Sequence, residues 1–157
     1  MLDIVIMKAA YTSTEVQKLF GIGRPVFQAW LGDGILDPSI TRSQAQGEPN
    51  IFSDADVVRI GVMALLTRQG YPRNEAKIFL SGIDAKLGRQ GYLTSAFILM
   101  QSSPLKSTVV DDEGQEHSTG GLFRVTSASD MQGVLKSINE KFEITEIINL
   151  KKIRAEM

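Results

Sequence analysis

Residues 11–36, YTSTEVQKLFGIGRPVFQAWLGDGIL, carry two apolar stripes of helical spacing separated by Gly21-Ile22-Gly23, and this stretch restricts the possible folds most tightly. Thr12 or Ser13 can cap a first helix, and Glu15 falls in its first turn, where the helix dipole favours an acid. Val16, Leu19 and Phe20 share one face. Gly21 stands where a left-handed C-cap is needed. A second helix can start at Arg24-Pro25, because a proline in the first turn forfeits an N–H that has no partner there. Val26, Phe27, Trp30 and Leu31 form its apolar side, and Gly32 to Gly34 end it. Two short helices across a glycine turn have the layout of a helix-turn-helix.

Downstream, Ile35-Leu36 and Ile51-Phe52 flank the polar segment 39–50, a pattern that predicts a β-ribbon, or wing. Ser53 supplies an N-cap with Asp54 and Asp56 in the first turn, and apolar residues at helical spacing run from Val57 to Leu66. Tyr71-Pro72 restarts the chain into a fourth helix with Ala76, Ile78, Phe79 and Leu80, ending at Gly82. Residues 2–7 are β-branched enough for a strand, or form an arm attached to the rest. Gly82, Gly88 and Gly91 lie within ten positions and predict a linker over 83–91. Beyond it the pattern becomes strand over 92–101, strand over 105–110, a turn at 111–114, strand over 122–126, helix over 130–141 with a cap at Ser127 or Ser129, and strand over 142–148 or on to 153. The expected fold class is α+β. An N-terminal winged helix-turn-helix domain (1–82) is followed by the linker and by a small antiparallel-sheet-plus-helix domain (92–157).

Composition narrows the function. Seventeen basic against eighteen acidic residues give a net charge of −1. Residues 1–82 hold eight of each, so any polyanion must be bound through local placement of charge. The absence of cysteine excludes disulfides, thiol chemistry and cysteine metal sites. No apolar run approaches the roughly 18 residues of a membrane span, and the opening MLDIVIMK is too short and too acidic for a signal peptide. A soluble cytoplasmic protein is expected.

The segments YTSTEVQKLFGI, FQAWLGDGIL, IFSDADV and LLTRQGYPRNEA, in this order and spacing, make residues 11–80 resemble the DNA-binding domain of the mercury-resistance-regulator (MerR) family. The resemblance covers slightly under half of the chain. It implies a second helix in the major groove, wings on flanking phosphates, a dimer, and a ligand- or metal-sensing C-terminal part. Where the family often carries an arginine followed by two tyrosines, Gln28, Ala29 and Trp30 stand here, closer to its excisionase-like branch, where tryptophan occupies the same place. Arg42 is the only strong cation between Asp33 and Asp56, where the family's wing usually has several arginines. Residues 83–157 lack the heptads of the family's dimerising coiled coil, and no metal sensing carries over without cysteines.

The candidate DNA contacts follow from chemistry at these positions. Arg24 can reach a phosphate or a guanine edge, and Gln28, one turn on, can address adenine N6/N7. Arg42, Ser43, Gln44 and Gln46 in the wing can contact the backbone. Thr12, Ser13 and Thr14 offer hydroxyls and unpaired N–H groups at a helix N-terminus, where phosphate binds readily. Each has a plainer role open to it: exposed surface, loop tip or cap. Trp30 is expected in the core. The expected partners are double-stranded DNA, a second copy bound through the C-terminal domain, and an effector whose identity the sequence leaves open. A catalytic centre is not expected, since His117 is the only histidine and sits in a polar turn. The acidic cluster Asp111, Asp112, Glu113 and Glu116 lacks calcium-loop spacing, so neither metal nor cofactor is expected. Two alternatives share the fold: an adaptor that binds proteins instead of DNA, and an excisionase-like architectural factor that bends DNA.

Overall fold

The computed structural model of the protein describes residues 9–44, 47–102, 107–110, 112–119 and 123–157. Its elements run β1 (Ala10–Thr12), α1 (Ser13–Phe20), α2 (Arg24–Gly32), β2 (Ile51–Ser53), α3 (Asp54–Arg68), α4 (Arg73–Thr94), β3 (Phe97–Ser102), β4 (Ser107–Val110), β5 (Glu116–Thr119), β6 (Phe123–Ala128), α5 (Met131–Ser137), β7 (Glu143–Asn149) and α6 (Leu150–Ala155). The fold class is α+β with small antiparallel sheets. The described residues divide into two compact units: one joins those up to Thr94 with Leu150–Met157, and the other lies within Ser95–Asn149.

In the first unit, Thr12 caps α1 by accepting from the Glu15 N–H at 3.3 Å. Gly21 ends the helix at φ 63°, ψ 36°, in the left-handed region that glycine enters without penalty. Its N–H and that of Ile22 both donate to the Gln17 carbonyl, which closes the turn. Phe27 of α2 is fully buried and meets Phe52 of β2 edge-on, with ring centroids 5.8 Å apart. At the start of α3, Ser53 and Asp56 form the reciprocal capping box: Asp56 N–H donates to the Ser53 hydroxyl at 3.2 Å, and Ser53 N–H to the Asp56 carboxylate at 2.9 Å. Val57, Val58, Ile60, Met63 and Leu66 bury different sides of α3, as the helix at the centre of a unit must.

α6 packs on α3 at Gly61, where an added Cβ would stand 2.5 Å from Ile153 Cγ2 and 2.9 Å from the Phe20 ring. The glycine is thus required by a close approach inside a helix. Leu150 and Ile153 are buried on this side of α6. The 95–149 unit is therefore an insertion, entered from α4 and left through α6.

In the second unit β3 is the central strand, antiparallel to β6 (Phe97↔Ala128) and to β7 (Phe97↔Asn149). Ile98, Leu99, Met100 and Gln101 are all buried, so both faces of β3 are covered. The buried Gln101 amide is satisfied: Nε2 donates to the Asn139 carbonyl at 3.0 Å, and Oε1 accepts from the Asn139 N–H at 3.2 Å. Asp130 caps α5 through the Gly133 N–H at 2.7 Å, and Val134 is the buried residue of that helix. β4 and β5 pair as a separate hairpin (Val110↔Glu116) with Gly114 at φ 77° in the turn.

Several expectations need correction. Residues 83–91 are not a linker but part of α4, broken only at Gly88. Ala85, Lys86, Leu87, Arg89 and Gln90 are good helix formers, and Ile83 and Tyr92 are buried, which outweighs the glycines. The following strand consequently starts at Phe97 rather than 92. The expected wing does not pair Ile35-Leu36 with Ile51-Phe52. β2 pairs instead with β1 (Tyr11↔Phe52), while Ile35 and Leu36 are buried outside any strand. The described residues of 39–50 contribute one bridge, Thr41↔Ile51, made by Ile51 N–H to the Thr41 carbonyl at 2.7 Å and Thr41 N–H to the Ile51 carbonyl at 3.2 Å, and Ser43 N–H donates nearby to Asn50 Oδ1 at 2.8 Å. The helix expected over 130–141 ends at Ser137, and the chain after Asn149 turns helical because Leu150 and Ile153 find their burial on α3. Residues 150–157 therefore belong with the first unit. The strand expected over 2–7 lies outside the described residues.

Candidate nucleic-acid interface

The position of α2 is fixed from one side. Phe27 and Trp30 are buried and anchor it, leaving Arg24, Pro25, Gln28 and Gly32 exposed on the opposite side. Arg24 and Gln28 are one turn apart, so both side chains leave the same strip of helix surface. Among the described residues neither is tied to another side chain. Such a pair can present a fork of five donors beside an amide that both donates and accepts, the chemistry that discriminates base edges.

Its base is held by an internal network. Arg59 of α3 donates Nη1 to the Ile35 carbonyl, just beyond α2. The same guanidinium grips Asp84 of α4 with Nε to Oδ1 at 2.8 Å and Nη2 to Oδ2 at 2.9 Å. The Tyr92 hydroxyl donates to Asp84 Oδ1 as well. Burial first, and then this hydrogen bond, push the Tyr92 hydroxyl far above the ordinary phenol range. Arg59 is therefore a structural cation, absorbed inside the unit.

The other predicted contacts divide. The Thr12 hydroxyl is occupied by its cap on Glu15, Ser13 is half-buried, and Thr14 is exposed. Arg42 is exposed and pairs with Asp37 at 3.4 Å, both side chains being more than half exposed. Such a pair is worth about 0–1 kcal/mol, so Arg42 can exchange Asp37 for a phosphate at little cost. Gln44 is exposed, with its backbone N–H held by Glu48 Oε2 at 3.0 Å. Gln46 lies outside the described residues.

Sequence reasoning missed the turn between α3 and α4. Arg68, in the last turn of α3, lines a cavity of about 180 Å³ with Phe20, Gly23, Val26 and Trp30. Arg73, the first residue of α4, lines one of about 510 Å³ with Pro25, Val26, Ala29 and Trp30. Arg73 also reaches Asp33 at the end of α2, at 3.2 Å, and Lys77 Nζ donates to the Asp33 carbonyl at 3.4 Å. Arg68 and Arg73 thus border the flank of α2 that carries Val26, and Lys77 reaches its C-terminal end. The available signal was RQGYPR itself: Gly70 at φ 92° and Pro72 turn the chain sharply and place an arginine on each side of the turn.

Charge is distributed unevenly within this neutral segment. Glu15, Asp56 and Glu48 are spent on caps and the loop, and Asp33 is covered by Arg73 and Lys77. Arg24 and Arg68 remain exposed without an ion pair among the described residues. No group of three His, Asp or Glu side chains among the described residues is arranged to hold a metal, and no described helix is long and apolar enough to cross a membrane. Neither a protein-family model nor a curated protein matches this chain.

Proposed function

We propose that the protein is a sequence-specific, double-stranded-DNA-binding transcriptional regulator with a MerR-like helix-turn-helix, acting as a dimer in the cytoplasm. The observation that carries this reading is the pair Arg24 and Gln28, exposed one turn apart on a helix whose opposite face is locked by Phe27 and Trp30. α2 would enter the major groove. Arg42 and Gln44 on one loop, and Arg68 and Arg73 on the α3–α4 turn, would hold flanking phosphates. With so few cations one copy binds weakly, and two half-sites about 34 Å apart restore affinity.

The inserted unit offers a surface for the second copy. Among the described residues β7 is an edge strand, and its Ile144 and Ile147 are 50% and 37% exposed. Both share a sheet face, since they pair with Gln101 and Leu99 of β3. An antiparallel β7–β7 contact that sets Ile144 against Ile147 of the second copy opposes Thr145 to Glu146 and Glu143 to Ile148. No like charges then face one another. An effector would act through this same unit.

A gel shift with genomic fragments tests the reading. Specific, salt-sensitive retardation is expected, and its absence between low and physiological salt removes the assignment. The adaptor reading is favoured by one observation, the cavity beside α2 with Val26 45% exposed at its wall. Failure of DNA binding together with capture of a protein through Val26 would establish it. The excisionase-like reading differs by a measured DNA bend.

A further inference from the structure

We propose that the kink in α4 and the Arg59–Asp84–Tyr92 network form a latch coupling the two stems of the 95–149 insertion to the base of α2. As a regulatory device this rests on the DNA-reading assignment of α2; as a mechanical coupling it does not.

The kink is built in by the backbone. Gly88 has φ 60° and ψ −178°, a region essentially restricted to glycine, while an added Cβ there would meet nothing within 4 Å. Only the torsion demands glycine, and its effect is to turn the last stretch of α4 back so that buried Tyr92 reaches Asp84 eight residues earlier. A straight helix would carry Tyr92 about 12 Å along its axis from Asp84, at roughly 1.5 Å per residue. The kink and the Tyr92–Asp84 bond therefore stand or fall together.

From Asp84 the connection runs both ways. Arg59 holds both carboxylate oxygens and, with its remaining Nη, the Ile35 carbonyl where the chain leaves α2. On the other side the Tyr92 carbonyl accepts from Arg154 Nη1 of α6 at 2.9 Å. Tyr92 is two residues before the outgoing stem at Thr94, and Arg154 is four residues after the returning stem at Leu150. One tyrosine thus touches both stems and, through one carboxylate and one guanidinium, the end of the reading helix. Cavities of about 230 and 410 Å³ flank Arg59, so the neighbourhood has room for the network to rearrange. A force that separates the stems must break the Arg154–Tyr92 bond or pull Tyr92 off Asp84, and the latter takes one of the two donors from Asp84 Oδ1, leaving the carboxylate oriented by Arg59 alone.

The test is amide hydrogen exchange, read by mass spectrometry, on the full chain without DNA. Tyr92→Phe removes one hydroxyl and Gly88→Ala removes only the torsion; Asp84→Asn is the stronger perturbation. In each, exchange across residues 33–41 is expected to rise at least tenfold while residues 13–20 keep wild-type rates. A rise confined to 84–94 would overturn the latch, and so would an equal rise in 13–20, which reports global loosening. Tyr92→Phe keeps the test decisive if the others fail to fold. Because the readout contains no DNA, its failure leaves the DNA assignment standing, and a failed gel shift leaves the latch standing.

Discussion

Gly61→Ala isolates one contact, the seat of α6 on α3. In an ordinary helix interior alanine is more stable than glycine by about 1 kcal/mol. Here the new methyl would lie 2.5 Å from Ile153 Cγ2 and 2.9 and 3.0 Å from two atoms of the Phe20 ring. Unstrained carbon pairs sit at about 3.5–4.0 Å, so Ile153 must retreat by roughly 1 Å and the ring by about half that. Overpacking of this kind costs about 1–3 kcal/mol, and after the propensity gain a net loss near 1 kcal/mol is expected. Ile153 is 8% exposed on a short helix, so Ile153→Ala alone should cost about 2 kcal/mol, at the low end for such a truncation. In the Ile153→Ala background the nearest clash is gone, and Gly61→Ala should then be close to neutral. Urea unfolding of the four proteins measures the coupling, with about 1 kcal/mol expected. If Gly61→Ala stabilises both backgrounds equally, α6 does not pack at Gly61, and the insertion topology is wrong.

Tyr92→Phe should alter alkaline stability. The native state keeps the raised-pKa hydroxyl protonated where the unfolded chain ionises, so this stabilisation is complete below about pH 10 and declines above it, by up to about 1.4 kcal/mol per pH unit. The variant should show a shallower decline between pH 9 and 11 in urea melts; parallel curves would contradict the burial of that proton. Ile144→Lys with Ile147→Lys should halve the solution mass without lowering the unfolding midpoint of the monomer, and an unchanged mass would remove β7 from the interface. Ser53→Ala should cost about 1 kcal/mol through loss of the α3 cap, and a loss below about 0.3 kcal/mol in urea melts would show that the capping box contributes little.

Local chemistry was legible in the sequence where one residue decides one torsion or one cap. Gly21 gave the left-handed end of α1, and Ser53 with Asp56 gave the start of α3, because both signals act within three or four residues. Pairings set by distant segments were not legible. Ile35-Leu36 and Tyr11 are equally apolar candidates for pairing with Phe52, but the Ile35 and Leu36 N–H groups both donate to the Trp30 carbonyl and the Ile35 carbonyl accepts from Arg59, so these groups are not in a ladder. The return of α6 to α3 spans about ninety residues, and its one local trace was a glycine inside the apolar run of α3. Of the candidate interface, Arg24 and Gln28 could be named from helical phase alone. Arg68 and Arg73 could not, because their approach to α2 depends on the angle at which α3 and α4 meet.

Selection of bound duplex from a random pool, run in parallel for wild type, Arg24→Ala and Gln28→Ala, tests the reading function of α2 most directly. The wild type should enrich a sequence with half-sites one helical turn, or a multiple of it, apart. Each substitution should weaken binding to that sequence by about 5- to 150-fold, corresponding to roughly 1–3 kcal/mol per base contact, and Gln28→Ala should relax preference at a single base pair. No enriched sequence for the wild type, or the same sequence enriched equally by all three proteins, would contradict the assignment of α2 as the reading helix.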